Sequence, residues 1–275
     1  MTRPEKRIWQ LACVLIWGEV LTGGFTTHSV AADEIGACVT LQIETPPELL
    51  KPSLPCCERY QNQLGQTYIL TDILIPALHF DPQTSEDHSL NVHALPAASA
   101  NRWGEIPIWA LQDPSPRSPV LEQVKRLEEG RAIFAPKHAT SDCAHLLYKA
   151  EANARSAKRG LWKETHIYSS AQPDVLIGKA GQYVIARGRL LSLGKTARTR
   201  YLNFGRSWKH DVTATISTKR DVIFSQYLEK QGLDWPDLEG RVVEVRGYIS
   251  NDDGPHFELT HPGQLVVLDK RNAKP

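Results

Sequence analysis

Leu146-Leu147-Tyr148-Lys149-Ala150-Glu151-Ala152-Asn153-Ala154-Arg155-Ser156-Ala157-Lys158-Arg159-Gly160-Leu161-Trp162 is the most regular pattern in the chain. Leu146, Leu147, Ala150, Ala154 and Ala157 recur at helical spacing, and Glu151 and Arg155 form an i,i+4 pair. The spacing predicts a helix from Cys143 to Arg159, capped by Asp142 and ended by Gly160, after which Leu161 and Trp162 fold back on a core.

Outward from this helix the elements alternate in type. Upstream, Ser118 and Pro119 predict the start of a second helix with Leu121, Val124 and Leu127 on one face, closed by Gly130, and Arg131 to Ala135 reads as a short strand. Ile106–Leu111 and Tyr68–Ile75 are apolar runs of strand length, the second ending at Pro76. Residues 79–100 are polar and rich in breakers. His79, Asp81, Glu86, Asp87, His88 and His93 fall there, but nothing in the stretch fixes a coordination geometry, so it reads as a solvated insertion. Residues 33–64 form a proline-rich N-terminal arm with Pro46-Pro47, Pro52 and Pro55.

Downstream of a polar linker at 166–176 the period becomes two. Tyr183–Leu191, Thr199–Phe204, Asp211–Ile216, Arg241–Ile249 and His256–Leu259 are strand candidates, with one helix over Asp221–Gln231. Five strands with one interposed helix predict a small barrel of the oligonucleotide/oligosaccharide-binding (OB) type over 177–270.

The chain has 275 residues, 41% of them hydrophobic and 23% charged, which excludes a disordered or fibrous protein and favours two modest domains. Arg3, Lys6 and Arg7, an apolar run from Ile8 to Leu21 and Ser29-Val30-Ala31-Ala32 predict a signal peptide over 1–32, and no later stretch could span a bilayer. The expected location is secreted or periplasmic. The net charge of +1 hides an asymmetry: 13 basic against 18 acidic residues in 33–176, and 16 against 11 in 177–275, so the halves carry −5 and +5.

An exported chain oxidises its thiols, and Cys38, Cys56, Cys57 and Cys143 remain after cleavage. A bond between the neighbours Cys56 and Cys57 would strain their peptide, so one of them is expected to hold Cys38 and the other Cys143. Their spacing is not that of a metal site, and no metal is expected.

With that layout, Leu146–Trp162 resembles the closing helix of the staphylococcal-nuclease-like (thermonuclease) family and its Ala-Arg…Gly-Leu-Trp ending. Arg102-Trp103-Gly104-Glu105-Ile106-Pro107-Ile108-Trp109-Ala110 is similar to the family's Asp-Arg-Tyr-Gly-Arg strand segment, and Val120–Ala132 to the helix that follows it. The resemblance covers 65–165 and implies a mainly β, α+β fold: two small OB-like β-barrels, the first with packed helices of the staphylococcal-nuclease type. The family cleaves phosphodiesters with calcium held by aspartates, a glutamate that activates water and two arginines. With Pro76 on the family's proline, Ile69 stands at the first arginine, Leu74 at the metal aspartate, Ala77 at the glutamate and Glu105 at the second arginine. Apolar side chains cannot hold a hard cation, so no catalytic residue and no cofactor is expected; Asp72 could serve only a shifted site. Residues 177–270 are also similar to a small domain that accompanies such secreted proteins.

From Arg187 to Lys209 the chain carries seven basic residues and no acidic one. Arg187, Arg189, Arg198, Arg200, Arg206 and Lys209, interleaved with Tyr201, Phe204 and Trp208, are candidates for single-stranded nucleic acid or another polyanion, since such barrels hold strands by stacking and phosphate attraction. The expected function is that of an exported, non-catalytic thermonuclease-like binding or scaffold module. The alternatives are an active secreted calcium-dependent nuclease with a relocated site, and an envelope structural protein with a protein partner.

Overall fold

The computed structural model describes residues 32–39, 46–53, 58–76, 89–113, 119–207 and 209–268. The segment up to residue 31, where a signal peptide is expected, Cys56, Cys57, Ala77, Trp208 and the histidine-containing run at 79–88 lie outside the described residues.

After a short helix α1 (Ala32–Gly36), the proline-rich arm supplies two strands, β1 (Glu48–Pro52) and β2 (Arg59–Gln61). The apolar run at 68–75 is split: β3 (Thr67–Leu70) and β4 (Ile73–Leu74) flank Asp72, whose φ of 60° turns the chain. Aspartate tolerates this left-handed conformation better than a branched residue would. Strand β5 (Leu90–Pro96) emerges from the polar stretch, where Leu90 and Val92 enter the core. With β6 (Ile106–Asp113) the pairing β1-β2-β3-β6-β5-β1 closes on itself, antiparallel except between β3 and β6. Five strands thus form a closed barrel, filled by Leu50, Tyr60, Leu70, Ile108 and Leu111.

Pro119 does not open the next helix. It precedes a two-residue strand β7 (Val120–Leu121), and α2 (Glu122–Glu128) follows with no side-chain cap. Strand β8 (Ile133–Phe134) pairs with β4, and α3 (Ser141–Ser156) is the helix expected from the sequence. Its cap is Thr140, whose hydroxyl accepts from Cys143 N, rather than Asp142. Gly130 and Gly160 meet backbone to backbone, and a Cβ at Gly130 would lie 2.2 Å from Arg159 O. That contact fixes the end of α3 against the end of α2.

The expected cysteine pairing is corrected: Cys38 is bonded to Cys143, with Cα atoms 4.8 Å apart. Helix α1 lies beside α3, with Ile35 buried in the core and Thr140 Oγ1 donating to Ala37 O at 3.0 Å, which brings Cys38 against Cys143 of α3. The disulfide fits an extracellular location. Among the described residues no helix is long and apolar enough to cross a membrane.

The linker is itself structured, as β9 (Tyr168–Ser169) and α4 (Pro173–Ile177). Beyond it lie β10 (Tyr183–Arg189), β11 (Ser192–Lys195), β12 (Thr199–Asn203), β13 (Thr213–Ser217), α5 (Thr218–Glu229), β14 (Val242–Asn251), β15 (Pro255–Leu259) and β16 (Leu265–Val267). They pair in the order β11-β12-β13-β15-β14-β10-β9, with β16 on β14 and β13 parallel to β15. The fold is mainly β with few helices.

Two carboxylates and three guanidiniums join the halves. Arg246 on β14 is fully buried and donates to Glu151 of α3 at 2.8 Å, to Glu244 at 2.5 Å and to Phe134 O at 3.0 Å. Glu244 also receives Arg155 at 3.1 Å and Arg187 at 3.0 Å. Burial alone would raise the Glu244 carboxyl, but Arg246 and Arg155 overcome it and hold the group at about 2. The i,i+4 pair expected between Glu151 and Arg155 is the weaker partner here, at 3.8 Å.

Candidate binding cleft and basic face

Ile69 and Leu74 line a cavity of about 870 Å³ between the two halves. Its opposite wall comes from β14 and β15, with Tyr248, Ser250, His256 and Glu258. The size lies within the range of ligand sites, roughly 300 to 1,000 Å³. Glu58 borders it, with its carboxylate accepting from Ile75 N at 2.6 Å; burial raises the pKa of this group against the pull of that N–H and of Arg59 and Arg126. His138 Nε2 is buried in the wall without a hydrogen-bond partner, and burial lowers the pKa of its ring. Tyr183 donates to Phe134 O at 3.1 Å and packs edge-on against the exposed Tyr248, with centroids 5.4 Å apart.

Asp72 anchors a loop. Its carboxylate accepts from Lys137 N at 2.8 Å, from His138 N at 3.1 Å, from Ala139 N at 2.9 Å and from the Thr71 hydroxyl at 2.7 Å. It ties the turn after β3 to the loop before α3, and its lone pairs are spent on that loop. Glu105 likewise does not face a phosphate site as a free charge. It takes Arg59 at 2.6 Å and Asn101 at 2.8 Å, and these two bonds, against a smaller cost of burial, hold its pKa down. Among the described residues, no three His, Cys, Asp or Glu side chains are grouped so as to hold a metal ion.

His256 joins the cleft to the outer face of the second sheet. Its Nε2 lies 2.8 Å from Thr215 Oγ1 and its Nδ1 3.3 Å from Ser250 Oγ, and Ser250 donates to Asp252 at 3.0 Å. With the serine proton committed to Asp252, Nδ1–H donates to Ser250 and Nε2 accepts from Thr215. Burial lowers the His256 pKa against the pull of Asp252 and Glu258, which keeps this neutral tautomer in place. Because the serine hydroxyl points at the aspartate, the three residues are not an acyl-transfer triad.

Among the described residues the polyanion candidates do not form one surface. Arg200 is corrected from a free cation to a structural one: buried on β12, it grips Asp221 of α5 through two bonds of 2.5 and 2.9 Å and stacks on Trp235 at 4.1 Å. Phe204 is a core residue, and Arg187 is drawn to Glu244. Arg189 donates to Gly240 O. Arg198 and Arg206 are exposed, Lys209 is exposed with a partner of its own, and Tyr201 is half-buried. The reason is alternation: β12 shows its odd positions to one side, which places Arg200 on the opposite side, under α5.

Sequence reasoning did not single out Tyr183, Tyr248, Ser250, His256, His138 or Glu58. The turn Asn251-Asp252-Asp253-Gly254 marked a loop, and alternation along 255–259 puts His256 and Glu258 together outside the core. Nothing local pointed them at the other half of the chain.

No family model matches the chain, and no curated protein does. Among solved structures it is similar to a chain of "OBody AM1L10 bound to hen egg-white lysozyme", with 20% identity over 38% of this chain and 94% of that one and a TM-score of 0.27. A second, "OBody AM3L09 bound to hen egg-white lysozyme", has 19% identity over 38% and 95%, also with a TM-score of 0.27.

Proposed function

We propose that this protein is an exported, non-catalytic binding module: a thermonuclease-like barrel in which the charges of the reaction have been replaced, followed by a second barrel of the OB type. The observation that carries this reading is the cleft, where Ile69 and Leu74 face Tyr248, Ser250 and Glu258 of the second half. A phosphodiesterase needs a cation and guanidiniums to meet developing negative charge. The cleft offers apolar side chains at those positions and an aspartate whose oxygens are occupied. The second barrel is supported by the strand path, in which β10 and β11, separated by two residues, pair near its opposite ends, as the two halves of one bent strand would.

Glu58, Asp252 and Glu258 outnumber Lys137 around the cleft, so a polyanion is not its ligand. Single-stranded nucleic acid or another polyanion would instead meet the exposed Arg198 and Arg206. The test is titration of oxidised protein, residues 33–275, into end-labelled single-stranded DNA with calcium, following anisotropy and fragment length together. Intact DNA is the expected result, with any binding steeply weakened by salt. Cleavage that a chelator abolishes would overturn the reading.

A further inference from the structure

We propose that the outer face of β12 and β13 is a binding site for a neutral, hydroxyl-rich glycan chain, with the Tyr201 ring as its stacking platform. A second cavity, of about 660 Å³, lies over this face and is distinct from the cleft, which it meets at Asp252 and His256. Tyr201 stands opposite Thr215 in the pairing and Asn203 opposite Thr213, so one aromatic ring is surrounded by hydroxyl and amide groups pointing the same way.

Three details say that this face is built to be covered by a ligand. Gly194 is the partner of Tyr201 on β11, and a Cβ there would lie 3.5 Å from Tyr201 Cβ and 3.8 Å from Cδ2. Any longer side chain would lie across the ring, and glycine leaves it open. The Thr213 hydroxyl is buried in the wall with no hydrogen-bond partner. The Thr215 hydroxyl is held by His256, so that its oxygen keeps lone pairs free to accept from a ligand.

The charges select the ligand. No arginine or lysine lines this cavity, because Lys195 and Arg200 both turn to Asp221, at 2.7 and 2.5 Å. Asp252 and Asp253 stand at its end and would repel a phosphodiester or a sulfated sugar. A neutral sugar offers an apolar C–H face to the ring and hydroxyls to threonine, asparagine and aspartate.

The inference is independent of the cleft. It is tested with oxidised protein, residues 33–275, on immobilised oligomers of β-1,4-linked N-acetylglucosamine and of α-linked glucose, with a sulfated glycan and single-stranded oligothymidylate in parallel. Retention on a neutral series, insensitive to salt, is expected. Tyr201→Ala and Gly194→Leu should each weaken it about tenfold or more, equivalent to ~1.4 kcal/mol. Gly194→Ala, whose methyl fits at ordinary contact distance, should retain it, and all three variants should unfold at the wild-type midpoint. Retention of neither neutral series, or equal retention by Tyr201→Ala, overturns the proposal. So does salt-sensitive capture of oligothymidylate that depends on Tyr201, which would make the face a nucleic-acid site. None of these results bears on whether DNA is cleaved.

Discussion

Glu244→Gln tests whether the buried charge cluster makes the two halves one folding unit. The glutamate accepts from Arg246, Arg155 and Arg187, while Arg246 also reaches Glu151 across the junction. Holding Glu244 at about 2 instead of its ordinary 4.5 corresponds to about 3 kcal/mol, at ~1.4 kcal/mol for each pH unit. This lies within the roughly 3–5 kcal/mol expected when one member of a buried ion pair is removed. Because the pKa is lowered in the folded state, the stability is fully present above pH 4.5 and is lost as the pH falls toward 2. Urea unfolding of wild type and variant, followed by Trp fluorescence and far-UV circular dichroism, should show one common transition in both proteins. At pH 7 the variant midpoint should fall by the equivalent of about 3 kcal/mol with an unchanged slope, and the gap should narrow steadily below pH 4.5. A gap that stays constant down to pH 2.5, or a variant in which only β10–β16 lose stability, would refute the reasoning.

Arg200→Ala should cost roughly 3 kcal/mol in thermal or urea unfolding, because Asp221 is left without its bidentate partner and Trp235 without its stacked cation. Arg198→Ala combined with Arg206→Ala should leave the midpoint within about 0.5 kcal/mol, and the measurement that matters is a shallower salt dependence of oligonucleotide affinity. Asp72→Ala should cost about 3 kcal/mol, since three backbone N–H groups lose one acceptor and the left-handed turn loses a tolerant residue; a loss under 1 kcal/mol by urea titration would contradict that account. Reducing Cys38–Cys143, which are 105 residues apart, should lower stability by about 4 kcal/mol, read as the difference in urea midpoint with and without reductant.

Several elements were legible because their signals are local. Helix α3 runs from Ser141 to Ser156 where periodicity placed a helix from 143 to 159, and Gly130 and Gly160, both at positive φ, end segments where glycine was read as a stop. The period-two segments at 183–189, 199–203, 213–217, 242–251 and 255–259 became strands, since alternate burial leaves its pattern in the residue types themselves. Strands β1 and β5 were missed. Each is interrupted by polar residues or proline and held by partners elsewhere in the chain: Leu49 is opposite Asn91, and His93 opposite Leu111.

What the amino-acid sequence determined by itself is therefore the set of local preferences: which segments are helical or extended, and where glycine ends them. What only the tertiary structure decided is partnership. The four cysteines beyond residue 32 permit three pairings, and the docking of α1 on α3 joins Cys38 with Cys143. Seven basic residues spread over 187–209 read alike on paper, yet alternation in β12 and the position of α5 bury Arg200 on Asp221, while Arg198, in the turn before β12, stays in water. His256 and Ile69 are 187 positions apart in the chain and border one cleft, because long-range packing, which no local window contains, brings the two halves face to face.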